Sequence, residues 1–250
     1  MATSKPTAVY LIGDASLVEE FGKCCHDAGV IVTGKVPQRP NDWKRPKFLK
    51  PGSTIASSVV CCFELTNSDP EQKKKNLRFL EQRAPKKSVI CSSSVIFTAA
   101  EQAGWMKAPP RLVGIGAFPT LIAQPLTEIA PTRHTDARTI RSVTDFFGKI
   151  GKETAIVQDR VGMVMPRILC MLINEAAFAL TEQIASPQDI DAAMKLGTNY
   201  PSGPVEWGDR IGFSNVLQVL NALNADLHEE RYRAAPLLQQ LSGAARWWGT

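Results

Sequence analysis

A change of hydrophobic period near residue 160 constrains this chain more than any other feature. Upstream, short apolar runs alternate with amphipathic stretches: AVYLIG (8–13), Leu17–Ala28, VIVTG (30–34), VVCCFE (59–64), Glu71–Arg83, SVICS (88–92), RLVGIG (111–116) and TAIVQ (154–158). Strand, helix, strand in this order needs crossover connections, which predicts an α/β unit with a mostly parallel sheet. From Gly162 the apolar residues recur at helical spacing, so that Ile168, Leu169, Leu172, Ile173, Ala176, Ala177 and Leu180 form one stripe. SPQDIDAAMKLG reads as a capped helix, with Ser186 at the N-cap, Pro187 in the first position, Asp189 three residues after the cap and Gly197 past the end. The chain is expected to divide near Asp159 into an α/β unit over 1–159 and an all-α unit over 160–250.

At 250 residues and 44% hydrophobic content, such a chain has enough apolar mass for two modest cores. Its longest apolar runs, Val59–Phe63 and Ile168–Ile173, fall far short of the ~20 residues that span a bilayer. The opening MATSKPTAVYLIGD has no apolar signal core, so a cytoplasmic protein without a membrane partner is expected. Cys24, Cys25, Cys61, Cys62, Cys91 and Cys170 show no CxxC spacing; they read as buried thiols of a reducing compartment, and no metal site is expected. The net charge of +5 is concentrated in Lys35–Lys50 and in Lys73–Lys75 with Lys86–Lys87. Apart from Trp43 and Phe48 no aromatic residues interleave with these, which argues against nucleic acid and leaves a solvated loop or a site for the anionic head of a nucleotide or CoA.

The most specific motif is AMKLGTNYPSGPVEWGDRIG (Ala193–Gly212), which closes a helix, turns through Gly203–Pro204 and presents Glu206, Trp207 and Asp209. Together with VGMVMPRILCMLINEAAFAL (161–180) and ERYRAAPLLQQL (230–241), it closely resembles the signature of the helical C-terminal domain of the 3-hydroxyacyl-CoA dehydrogenase family. The resemblance implies a Rossmann-like dinucleotide-binding domain, NAD(P) as cofactor, an acyl-CoA substrate, and an α-helical domain that packs against its twin in a dimer. Tyr200 and Trp207 would be anchors of that packing.

A Rossmann fingerprint places glycines for a tight turn, for approach of the pyrophosphate and for helix–strand packing. Here those places hold Gly13, Ala15 and Val18. The second strand ends in Thr33, Gly34, Lys35 and Val36, without the acid that accepts from the adenosine ribose. Lys35 and Arg39 are candidates for holding a 2′-phosphate, which makes NADP the better expectation if a nucleotide binds. The proline-punctuated Val36–Ser58 stands where the family inserts a longer helical excursion that contributes to CoA binding. Glu64 and Lys73 coincide with family positions at the cofactor edge and the CoA entrance.

In the family a His polarises the reacting oxygen, a Glu orients that His, and a Ser and an Asn bind the same oxygen and the thioester. The resemblance places the carboxylate of this pair at Glu128 and its histidine at Gly116. In the same ungapped register the Asn falls on Pro166 and the Ser on Val95, although a slip of one or two residues restores Ser94 or Ser93 to that role. Three readings follow. The chain is a degenerate relative acting as a binding or partner subunit, as a homodimer or with an intact paralogue. Alternatively, it is a working NAD(P)-dependent dehydrogenase that uses Glu128, a serine of Ser92–Ser94 and water, or a non-redox CoA-thioester enzyme that uses Cys91 or Glu128.

Overall fold

The structure is a computed structural model that describes residues 7–52 and 54–241; the start of the N-terminal stretch and the last nine residues, on which parts of the readings above fall, lie outside it. The chain forms two compact units, Met1–Met163 and Val164–Thr250.

In the first unit β1 (Ala8–Gly13), β2 (Ile31–Lys35), β3 (Lys50–Pro51), β4 (Val59–Leu65), β5 (Val89–Ser93), β6 (Leu112–Ile115), β7 (Leu126–Ala130) and β8 (Glu153–Ile156) join in an eight-stranded sheet of order β3-β2-β1-β4-β5-β6-β7-β8. All neighbours are parallel except β6 and β7. The helices α1 (Ala15–Asp27), α2 (Pro70–Arg83), α3 (Ala99–Gly104) and α4 (Ala137–Lys149) fill the crossovers. β1 reads as an unbroken apolar run because both of its faces are covered. Val9 and Leu11 join Phe21, Phe63, Phe146 and Phe147 on one face, while Tyr10 and Ile12 join Leu77, Leu80 and Ile90 on the other. Side chains that alternate along a strand account for this division.

The chain winds outward from β1 in both directions, to β2 and to β4, and the carboxyl ends of β1 and β4 therefore flank a crevice at a topological switch point. Gly13 makes the turn there. Its φ is +145°, and a Cβ on it would lie 2.5 Å from the Leu65 carbonyl carbon, so only glycine fits.

In the second unit α5 (Met165–Thr181) packs against α7 (Pro204–Ile211), α8 (Phe213–Leu227) and α9 (Pro236–Leu241), while α6 (Pro187–Thr198) packs on α7. The Gly203–Pro204 turn has a steric cause. Asp191 accepts from Val205 N and Glu206 N (2.9 and 3.0 Å) to cap α7, and a Cβ at 203 would stand 2.0 Å from its Oδ1. Asn174 on α5 donates to Arg233 O and accepts from Ala235 N, which fixes the ERYRAAP segment. Tyr200 and Trp207 do meet, with ring centroids 5.7 Å apart.

Two local expectations need correction. Ser186 caps α6 through Asp189 N, but the helix runs through Gly197 and ends at Asn199, whose φ of +55° supplies the left-handed stop. Ile168 leaves the predicted stripe and stands half exposed, while Leu169, Cys170, Ile173, Ala176, Ala177 and Leu180 are buried. Among the described residues no helix is long and apolar enough to cross a membrane.

Candidate functional site

The crevice between β1 and β4 is crossed by protein groups. Asp14, which follows the Gly13 turn and begins α1, does not cap that helix with its side chain. Its carboxylate instead accepts from Asn67 N at 2.9 Å and from Ser68 Oγ at 3.2 Å, both on the loop after β4. Burial pushes the Asp14 carboxyl above its ordinary pKa, against the opposing pull of the Asn67 hydrogen bond. Asn67 carries the link onward. Its Nδ2 donates to Ala117 O at 2.9 Å, and Ser93 Oγ lies 2.6 Å from its Oδ1 and 2.9 Å from Ala117 O. The carboxyl ends of β1, β4, β5 and β6 are thus joined by hydrogen bonds. Ala15 and Val18, at the second and third fingerprint places, are buried.

Beneath this network Glu64 and Lys73 are both at 0% exposure and form an ion pair. Glu64 Oε1 also accepts from Thr66 N and Asn76 Nδ2, its Oε2 accepts from Ser92 Oγ, and Lys73 Nζ donates to Thr66 O at 2.7 Å. Glu64, expected at a cofactor edge, and Lys73, expected at a substrate entrance, are placed by this geometry in the interior. Each has its partners inside the protein and neither reaches solvent. Ser93 and Ser94, the candidate catalytic hydroxyls, lie in the same interior. Both are buried, with Ser93 tied as above and Ser94 Oγ donating to Ser92 O and accepting from Gln102 Nε2.

The corner expected for the His–Glu pair lies where β6 meets antiparallel β7. Gly116 N donates to Glu128 O at 3.0 Å, so positions 116 and 128 face each other across the turn. A Cβ on Gly116 would stand 3.3 Å from Glu128 Cβ and 3.7 Å from both its Oε2 and Met163 Sδ. Glu128 is 6% exposed, and a Cβ at 116 would be slightly tight against its Cβ and in ordinary contact with its Oε2 and with Met163 Sδ. The histidines stand elsewhere. His26 stacks on Phe48 from α1, His134 lies in the turn after β7 and accepts from Arg133 Nε, and His228 ends α8 in a left-handed conformation. Cys91 is fully buried on β5, and burial raises its thiol well above the ordinary range, with the neighbouring Cys61 adding to the effect. A neutral buried thiol is a poor nucleophile, which removes the basis for thioester chemistry through Cys91.

Lys35 and Arg39 come together at the outer end of the sheet. They line a pocket of about 460 Å³ with Gly34, Trp43, Arg45 and Phe79. Arg39 lies over the Trp43 ring, 5.8 Å from its centroid. Asp14, Asn67, Trp43, Arg45 and Phe79 went unassigned in the sequence. The signals were an acid between the first two fingerprint places and the cationic run Lys35–Lys50 with a tryptophan inside it.

Residues 47–160 match the family model "3-hydroxyacyl-CoA dehydrogenase, NAD binding domain", and residues 162–247 match "3-hydroxyacyl-CoA dehydrogenase, C-terminal domain". A 3-hydroxybutyryl-CoA dehydrogenase of Clostridioides difficile is 30% identical over 178 residues, 71% of this chain and 63% of that protein. One of Bradyrhizobium diazoefficiens is 32% identical over 162 residues, 65% of this chain and 55% of that protein. The matched regions therefore span 55 and 63% of the length of these curated relatives. In fold, the chain resembles the (S)-3-hydroxybutyryl-CoA dehydrogenase of Ralstonia eutropha, with a TM-score of 0.78 at 23% identity over 96% of this chain and 94% of that one. It likewise resembles M. tuberculosis FadB2, with a TM-score of 0.81 at 20% identity over 94% of this chain and 93% of that one. With both domain models matched in their proper order, the chain belongs to the 3-hydroxyacyl-CoA dehydrogenase family.

Proposed function

We propose that this chain is a 3-hydroxyacyl-CoA dehydrogenase-like protein of acyl-CoA metabolism that does not perform the family's His–Glu chemistry and acts as a binding or partner subunit. The observation that carries this reading is Gly116 set against Glu128. A general acid–base contributes ~10²–10⁴ in rate, and glycine has no group that transfers a proton. The serines on β5 add no substitute, since their hydroxyls are buried in hydrogen bonds to the protein.

The family's dinucleotide fits poorly among the residues present. A pyrophosphate at a switch point is held by backbone N–H groups at a helix N-terminus. At this one the Asp14 carboxylate already takes the Asn67 N–H and brings negative charge to the same place. Lys35 stands where an acid would receive the ribose hydroxyls, and Val18 replaces the glycine of close helix–strand packing. Calorimetric titration with NADH should give no micromolar binding; a micromolar Kd would overturn this part of the reading.

The helical unit is the proposed contact with a second copy or with an intact paralogue. α6 buries none of its residues, Leu196 on it is 88% exposed, and Ile184, Ile168 and Met165 are also exposed. Apolar groups of this kind are what an obligate interface covers. Light scattering at micromolar concentration should show a dimer. A monomer, with no heteromeric partner recovered from the source cell, would count against it.

A further inference from the structure

We propose that the cavity between α3 and the segments that follow β7 and β8 binds a small monocarboxylate with an apolar body. This goes beyond the reading above and does not rest on it, because no residue of the crevice or of the Glu128 corner lines the cavity.

Location comes first. β7 runs antiparallel to β6, so the turn that follows it comes back to Leu112, the first residue of β6, and lies away from the carboxyl ends of β1 and β4. The cavity there has a volume of about 510 Å³, in the usual range for small-ligand sites. Ala100, Ala103 and Gly104 of α3, with Pro131, give it an apolar wall. Its polar lining is Arg133 and His134 after β7, and Asp159 and Arg160 after β8.

That polar lining is held in place by the protein. In the turn after β7, Thr132 N donates to Thr135 Oγ1 at 2.9 Å, His134 N donates to Thr132 Oγ1 at 3.1 Å, and Thr135 Oγ1 donates to Leu112 O at 2.7 Å. Arg133 and His134 belong to this braced turn, and Arg133 Nε donates to His134 Nε2 at 3.1 Å. With Nε2 accepting, the imidazole carries its proton on Nδ1, so the pair offers that N–H and the terminal nitrogens of the guanidinium as further donors. On the other segment Asp159 accepts from Ala99 N and Ala100 N at 2.7 Å each, which ties the backbone beside Arg160 to the start of α3.

Charge then selects the ligand. Arg133 and Arg160 are exposed, and among the described residues neither makes a salt bridge. The acids nearest to them in sequence are committed to helix starts, Asp136 to α4 through Thr139 N at 2.6 Å and Asp159 to α3. A guanidinium fork matches a carboxylate, and two such forks invite an anion. The Asp159 carboxylate in the same lining cancels one of the two positive charges, which suits a ligand with a single negative charge and opposes the double charge of a phosphate. The wall of α3 and Pro131 is left for an apolar body.

An NMR titration of the nitrogen-labelled full chain at neutral pH tests this, with cyclohexanecarboxylate, its neutral amide and inorganic phosphate as ligands. The carboxylate should bind ~10-fold or more tightly than the amide, the usual worth of a charged hydrogen bond, and more tightly than phosphate. The shifted signals should centre on Arg133, His134 and Arg160. Arg133→Gln and Arg160→Gln, both at exposed positions, should each remove most of the preference for the acid, with circular dichroism unchanged. Equal binding of acid and amide, tighter binding of phosphate, no saturable binding of the acid, or a preference retained in the double variant would overturn the proposal.

Discussion

The crevice at the β1/β4 switch point and the pocket at the end of β2 are neighbours on one sheet, yet their polar groups have opposite fates. In the crevice, charge finds its partner within the protein: Glu64 with Lys73, and Asp14 with Asn67 and Ser68. In the pocket, Lys35, Arg39 and Arg45 line one concavity with Trp43 and, among the described residues, no carboxylate. Buried polar groups must be hydrogen-bonded, and charges taken out of water must be paired. Where the protein meets those demands itself, the polar groups are structure; where it leaves donors free, a ligand has something to bind.

The crevice side of this contrast breaks most severely at the ion pair. Lys73→Ala leaves the Glu64 carboxylate at 0% exposure without its cation, and should cost ~3–5 kcal/mol in urea unfolding. The double variant Glu64→Gln/Lys73→Met should recover most of that loss, because a buried pair replaced by neutral groups of similar size is close to neutral. A single variant as stable as the wild type would mean that the two side chains face solvent and are free for a ligand.

A smaller effect is expected at the corner beside Glu128. Gly116→His must shift Glu128, since its Cβ would lie 3.3 Å from Glu128 Cβ, and overpacking of this kind costs ~1–3 kcal/mol. Thermal unfolding measures it. A neutral or stabilised variant would show that the corner has kept room for an imidazole.

The mildest intervention uses the thiols. Cys25, Cys61, Cys62, Cys91 and Cys170 are buried and Cys24 is half-buried. Burial pushes the Cys62 thiol up to about 12 and raises those of Cys25, Cys91 and Cys170 as well. Native protein should therefore react with Ellman's reagent at Cys24 alone, and at the other positions only after unfolding. Rapid labelling of Cys91 in the native state would revive the thioester reading.

How far the sequence discloses these features depends on the range of the interactions. The strands β1, β4 and β5 are legible because strands covered on both faces are nearly continuous apolar runs. The signature around Gly203 is legible because its cap, Asp191, lies only 14 residues before Val205. Glu128 and Gly116 are found by register alone, and the β6–β7 turn does bring them together. Asp14 with Asn67 was not legible, since the pairing joins two loops 53 residues apart. The ties of Ser93 were not legible for the same reason, since its partners Asn67 and Ala117 lie on other loops. The pocket was half legible, with Lys35 and Arg39 visible as charge and Trp43, Arg45 and Phe79 placed only by the fold.

Acetoacetyl-CoA reduction by the purified protein, followed at 340 nm with NADH and with NADPH beside a protein-free blank, tests the proposed loss of the family's chemistry most directly. Gly116 beside Glu128, together with the Asp14 carboxylate across the crevice, predicts a rate indistinguishable from the blank with either nucleotide, and no measurable consequence of Glu128→Gln beyond stability. Turnover by the wild type that Glu128→Gln abolishes would contradict it and establish Glu128 as a working base.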